Sequence, residues 1–111
     1  MSLVDANIVL RYLLDDHVEL SQRAVDILEQ QTVTLPIEAA CEVVYVLQKV
    51  YEVGRDTIAE QLAMLVQNEL VSVDKPAAFF SALECYSRSG LDFVDCLLWG
   101  YHKEEQQQIY T

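Results

Sequence analysis

Apolar residues recur at intervals of three and four along most of this chain, interrupted by short apolar or β-branched runs near residues 3, 33, 71 and 110. The first run, Leu3-Val4, ends in a carboxylate at Asp5, and an amide follows at Asn7. A helical apolar set then begins: Ile8, Leu10, Tyr12, Leu13 and Leu14. The pattern predicts a short buried strand stopping at Asp5 and a helix capped by Asn7. Asp15-Asp16-His17 breaks it and caps a second helix, whose face is Leu20, Ala24, Ile27 and Leu28, running to about Gln31. Thr32-Val33-Thr34-Leu35-Pro36 reads as a second strand ended by proline. Ile37 to Tyr51 is the most apolar helix, with Gly54 as its natural stop. A fourth helix starts at Asp56 or Thr57, where Thr57 and Glu60 match a capping box, and carries Ile58, Leu62, Leu65 and Val66.

Leu70-Val71-Ser72-Val73 is a third strand by the same criteria, and Pro76 suits the first turn of a fifth helix bearing Ala78, Phe79, Ala82, Leu83 and Tyr86. Ser89-Gly90 ends it. Asp92 opens a sixth helix through Leu97, Leu98 and Tyr101 to about Gln107, and Ile109-Tyr110-Thr111 begins a fourth strand. Strands separated by helices, with no hairpin signals, imply parallel pairing through right-handed crossovers. The expected architecture is an α/β fold, a three-layer α/β/α sandwich around a central parallel sheet.

Length and composition narrow this further. At 111 residues the chain makes one domain, 1–111, with room for a core, and 52% hydrophobic residues exclude a disordered tail. No apolar run reaches the roughly 18 residues of a membrane span. Arg11 is the only basic side chain among the first sixteen residues, which argues against a secretory or transit peptide. Cys41, Cys85 and Cys96 are odd in number and separated, without a C-x-x-C pair, so they read as free core thiols of a cytoplasmic protein.

The net charge of −11 changes the picture more. Such a protein repels a polyanion at long range, so nucleic-acid chemistry would need bound cations, a basic patch on one face, or a cationic partner. Three glycines leave no phosphate-cradling loop.

Among the acids, four have neighbours that ask for an explanation. Asp5 stands at the carboxyl end of a strand, where open α/β sheets bind ligands, although it could serve only to cap the first helix. Glu42 lies in the apolar run Ala39-Ala40-Cys41-Glu42-Val43-Val44, although Glu38, Glu42, Tyr45, Lys49 and Glu52 also share one helical stripe that could face water. Asp92 and Asp95 project from one face, their Cβ atoms roughly 5–6 Å apart, although both could belong to a capping box. If Asp5, Glu42 and Asp95 converge, a raised pKa or a cation must relieve their repulsion. Without a His/Cys cluster beside them, the fitting ion is hard and oxygen-loving, Mg²⁺ or Mn²⁺.

Together these stretches resemble a PIN domain, and most closely the toxin of a VapBC-type toxin–antitoxin pair. The resemblance is carried by Val4-Asp5-Ala6-Asn7 with Val9-Leu10-Arg11-Tyr12-Leu13, by Glu42-Val43-Val44-Tyr45-Val46-Leu47, by Gly90 to Leu98, and by the terminal Tyr110-Thr111. It implies a metal-dependent ribonuclease whose catalytic acids correspond to Asp5, Glu42 and Asp95. Asp92 joins them as a metal ligand, Asn7 and Thr111 are supporting residues, and the cofactor is Mg²⁺ or Mn²⁺. It also implies a strand order of 3-2-1-4-5, an RNA substrate, a homodimer and an antitoxin partner. Ala6 stands where the family usually has Thr or Ser, and the family's last acid, two residues beyond the position of Thr111, has no counterpart. The C-terminal edge strand is accordingly expected to be missing. Two other classes stay open. One is a non-catalytic interaction module on the same fold. The other is an Asp-based phosphoryl-transfer domain, against which Asn7 replaces the second Asp of the phosphatase motif.

Overall fold

The computed structural model describes residues 2–111. In order they form β1 (Ser2–Leu3), α1 (Ala6–Leu14), α2 (Val18–Gln30), β2 (Val33–Thr34), α3 (Ile37–Lys49), α4 (Arg55–Gln67), α5 (Pro76–Arg88) and α6 (Phe93–Glu105). The fold is a mostly helical α/β arrangement around a small parallel sheet. β1 pairs with β2 in parallel, Ser2 opposite Val33 and Leu3 opposite Thr34. A single parallel bridge, Thr34 to Ser72, extends the sheet on the far side of β2. The three segments therefore lie in the order 3-2-1.

The sandwich expected from the sequence is reduced in two places, each for a backbone reason. The third strand, expected over Leu70–Val73, shrinks to one bridge because the end of α4 claims its amides. Leu70 and Val71 N–H both donate to Leu65 O, and Glu69 N–H to Val66 O. Only from Ser72 onward is the chain free to pair, with Ser72 N–H reaching Val33 O and Leu35 N–H reaching Ser72 O. Ile109–Thr111 forms no strand. There Gln106 takes a left-handed conformation (φ 56°) and Gln107 N–H returns to Tyr101 O, folding the chain back over the end of α6.

Helix ends also differ in detail from expectation. Asp5, not Asn7, caps α1: its Oδ1 accepts from Ile8 N–H at 3.2 Å, and Asn7 is already helical. His17 caps α2 through Nδ1, which accepts from Leu20 N–H. Gly54 does not stop α3 but precedes α4 with φ −67°, so the Thr57 capping box falls inside that helix. The left-handed turn after α3 is made by Glu52 (φ 55°), with Val53 N–H closing on Leu47 O. Asp92 is the N-cap residue of α6, yet its side chain makes no capping bond.

The core runs from Val4, Val9, Leu10, Leu28, Val33 and Leu35 through the inner faces of α3, α4, α5 and α6, and Tyr86 is its largest fully buried side chain. Its hydroxyl donates to Gln48 Oε1 at 2.6 Å, and its ring meets Phe93 edge-on at 5.8 Å between centroids. The Arg55 guanidinium covers the ring at 3.9 Å and donates to the carbonyls of Tyr86 and Leu91, tying the α5–α6 connection to α4. At Gly100 α6 lies directly against the backbone of α5, where an added Cβ would clash with Ala78 O. Among the described residues, no helix is long and apolar enough to cross a membrane.

Candidate active site

At the carboxyl end of β1 the chain turns sharply into α1, because Asp5 can hold both conformations together. Its backbone stays extended (ψ 177°) while its carboxylate takes the orphan amide of Ile8. The rest of the side chain is exposed at the edge of an open cleft of about 1000 Å³. Asn7, Arg11, Arg23, Glu38 and Ala39 line the same cleft. The arginines arrive from α1 and α2, which pack on each other and bury Val9 and Leu10 on one and Ala24 and Leu28 on the other. Arg11 is held by Asp16 at 2.8 Å. Arg23 forms no ion pair among the described residues.

A smaller pocket of about 220 Å³ adjoins this cleft through Glu38, which lines both. It opens where β2 and the Ser72 segment end, with Asp74 and Lys75 on one side and Leu97 and Tyr101 of α6 on the other. Burial pushes the Tyr101 hydroxyl upward in pKa, and the nearby Cys41, Asp74 and Glu38 raise it further. Three of the chain's seven basic side chains (Arg11, Arg23 and Lys75) thus line two adjoining hollows of a strongly acidic molecule.

The other acids singled out from sequence are not among the residues lining the Asp5 cleft. Glu42 is exposed, and so are Glu38, Tyr45, Lys49 and Glu52, so the solvent stripe of α3 is as the periodicity allows. Asp92 and Asp95 are exposed at the start of α6. Asp92 comes near enough to Tyr86 for its charge to raise the pKa of that hydroxyl, though burial raises it most. Thr111 is exposed and outside any strand. Carboxylate oxygens are the donor chemistry a hard divalent ion takes. Yet among the described residues no three His, Cys, Asp or Glu side chains gather closely enough to hold one.

Glu38 is the residue that pattern reading passed over. Its spacing places it on the solvent stripe, yet in the first turn of α3, just beyond β2, it lines both hollows. All three cysteines are free, and burial above all pushes the Cys96 thiol up to about 11, which disfavours its thiolate.

Parallel strands, intervening helices and an acid at the end of the first strand define a small α/β domain with an open cleft at the sheet edge. Residues 2–107 match the PIN domain family, and the chain belongs to it. It is 29% identical over 101 residues to a protein named VapC ribonuclease from Aquifex aeolicus (strain VF5), a match covering 87% of this chain and 75% of that protein. No solved structure gave a significant match.

Proposed function

We propose that this chain is a ribonuclease that hydrolyses RNA phosphodiester bonds as the toxin of a type II toxin–antitoxin pair. The observation that carries the reading is Asp5. In a chain of the PIN family, its carboxylate ends β1 in an open cleft that also holds Arg11 and Arg23. The arginines supply the local basic patch that a net charge of −11 otherwise denies a polyanionic substrate.

In this reading Asp5, Glu42 and Asp95 are the catalytic acids and Asp92 joins them as a ligand for Mg²⁺ or Mn²⁺, with Asn7 and Thr111 in support. Such an ion, when bound, supplies charge compensation at the phosphodiester and an activated water. The residues' own part is positional. Asp5 is held by Ile8 N–H, and Asp92, free of a capping bond, leaves its carboxylate available. The 3-2-1 order of the paired segments suits a larger sandwich of order 3-2-1-4-5. A cytoplasmic homodimer held by a cationic antitoxin segment completes the proposal, and the acidity of the chain suits such a partner.

The test is RNA cleavage by the purified chain with Mg²⁺ or Mn²⁺, with and without EDTA. Asp5→Asn should lower the rate by on the order of a thousandfold, about 4 kcal/mol of transition-state stabilisation. Thermal stability should stay the same, since Asn caps a helix as well as Asp. Cleavage that survives both EDTA and this substitution would sink the assignment. A non-catalytic PIN-fold interaction module is the second reading, favoured by the separation of the carboxylates. It predicts antitoxin binding with no cleavage under any of these conditions.

A further inference from the structure

The pocket beyond Glu38 has features that cleavage alone does not use. Its volume of about 220 Å³ falls below the roughly 300–1,000 Å³ of sites for drug-sized ligands, so it suits a single planar ring system. Leu35, Phe79 and Leu97 are buried around it, and the half-buried Tyr101 adds an aromatic wall. Its charged groups are Glu38, Asp74 and Lys75, and Thr34 and Tyr101 add hydroxyls that can donate or accept; the Lys75 ammonium stands 5.2 Å from the Tyr101 ring centroid, and both carboxylates come close enough to raise the Tyr101 hydroxyl. Ionised carboxylates only accept hydrogen bonds and an ammonium only donates them.

We propose that this pocket is a subsite for one unpaired guanine of an RNA strand lying across the Asp5 cleft, an inference that rests on the ribonuclease reading above. Guanine alone among the four bases presents two adjacent donors, N1–H and the N2 amino group, beside an acceptor, O6. That edge complements two carboxylates and one ammonium. Adenine and cytosine set a ring acceptor next to their amino donor, and uracil flanks its single N–H with two carbonyls, so each turns an acceptor toward a carboxylate. Unpaired bases are commonly read on this edge while packed against aromatic rings. Glu38 lines both hollows, so a base in the pocket leaves its phosphates beside Arg11 and Arg23.

The experiment is isothermal titration of the full chain, in EDTA, with the 5′-monophosphates of guanosine, adenosine, cytidine, uridine and inosine. Guanosine monophosphate should bind at least about tenfold tighter than the other three common nucleotides, and inosine monophosphate, lacking the N2 amino group, should bind more weakly than it. Glu38→Gln and Asp74→Asn should each remove most of that preference; both side chains are exposed, so circular dichroism melts should be unchanged. Asp5→Asn should leave the preference intact while abolishing RNA cleavage, which separates the two readings. Equal affinity for all nucleotides, or a guanine preference that survives both carboxylate substitutions, overturns the proposal even if RNA is cut. Binding of N-acetylarginine amide in place of nucleotides overturns it too, assigning the pocket to a protein side chain. Guanine discrimination by a chain that cuts no RNA leaves the pocket standing and removes the ribonuclease reading.

Discussion

The two halves of this molecule handle polar groups in opposite ways. Around α4, α5 and α6 the polar groups of the interior have partners: buried Tyr86 is bonded to Gln48, and half-buried Arg55 bonds two carbonyls while covering an aromatic ring. No buried side-chain nitrogen or oxygen among the described residues lacks a partner. Around β1, α1, α2 and the start of α3, charges face an open cleft instead, with Arg23 in no ion pair among the described residues and Glu38 shared between two hollows. Satisfied polar groups specify a packed core, and available ones recognise a ligand. The comparison implies that stability and activity can be damaged separately.

The largest stability effect should come from Tyr86→Ala, expected to cost about 3–5 kcal/mol by denaturant unfolding. It empties the centre of the core and deprives Gln48 of its donor. Cleavage per folded molecule should hardly change; a selective loss of cleavage would mean the halves are coupled. Next is Gly100→Ala, which puts a methyl group 2.4 Å from the backbone oxygen of Ala78. Backbone cannot rotate aside, so α5 and α6 must separate, at about 1–3 kcal/mol. A neutral melt would show that this helix pair packs less closely than the distance says.

The packed half was the more legible of the two from sequence. Repeats such as Ala78, Phe79, Ala82, Leu83 and Tyr86 placed α5 and its buried face, because a helix writes its core side into local spacing. Helix ends were less legible. Asp5 and Asn7 both suit a cap and lie two residues apart, so only the backbone decides between them. Leu70–Val73 has strand composition, but whether its amides pair depends on how α4 unwinds before it. The family was readable from three motifs in order, and residues 2–107 match it. The cleft was only half readable. Asp5 announced itself at a strand end, whereas Arg11 and Arg23 meet beside it through the packing of α1 on α2, which no single window contains.

A smaller effect sharpens the comparison at its boundary. Asp5→Ala should cost about 1 kcal/mol, because the Ile8 amide loses its acceptor, while Asp5→Asn should cost almost nothing. Both should abolish cleavage. If Asp5→Ala alone impaired it, capping rather than chemistry would be the role of Asp5.

The smallest expected change is a gain. Glu52 adopts φ 55° to close the end of α3, a left-handed conformation that costs a non-glycine residue roughly 1–2 kcal/mol. Glu52→Gly removes that strain but frees the unfolded chain, so the net gain should be about 0.5–1 kcal/mol. It also removes one negative charge from a chain at −11, which itself relieves repulsion. Glu52→Gln separates the two causes, since it discharges the side chain and keeps the strain. The glycine variant should melt higher than the glutamine variant, and both should cleave RNA as the unsubstituted chain does. Equal melting temperatures would assign any gain to charge alone. A glycine variant less stable than the unsubstituted chain would show that the turn after α3 is not under strain.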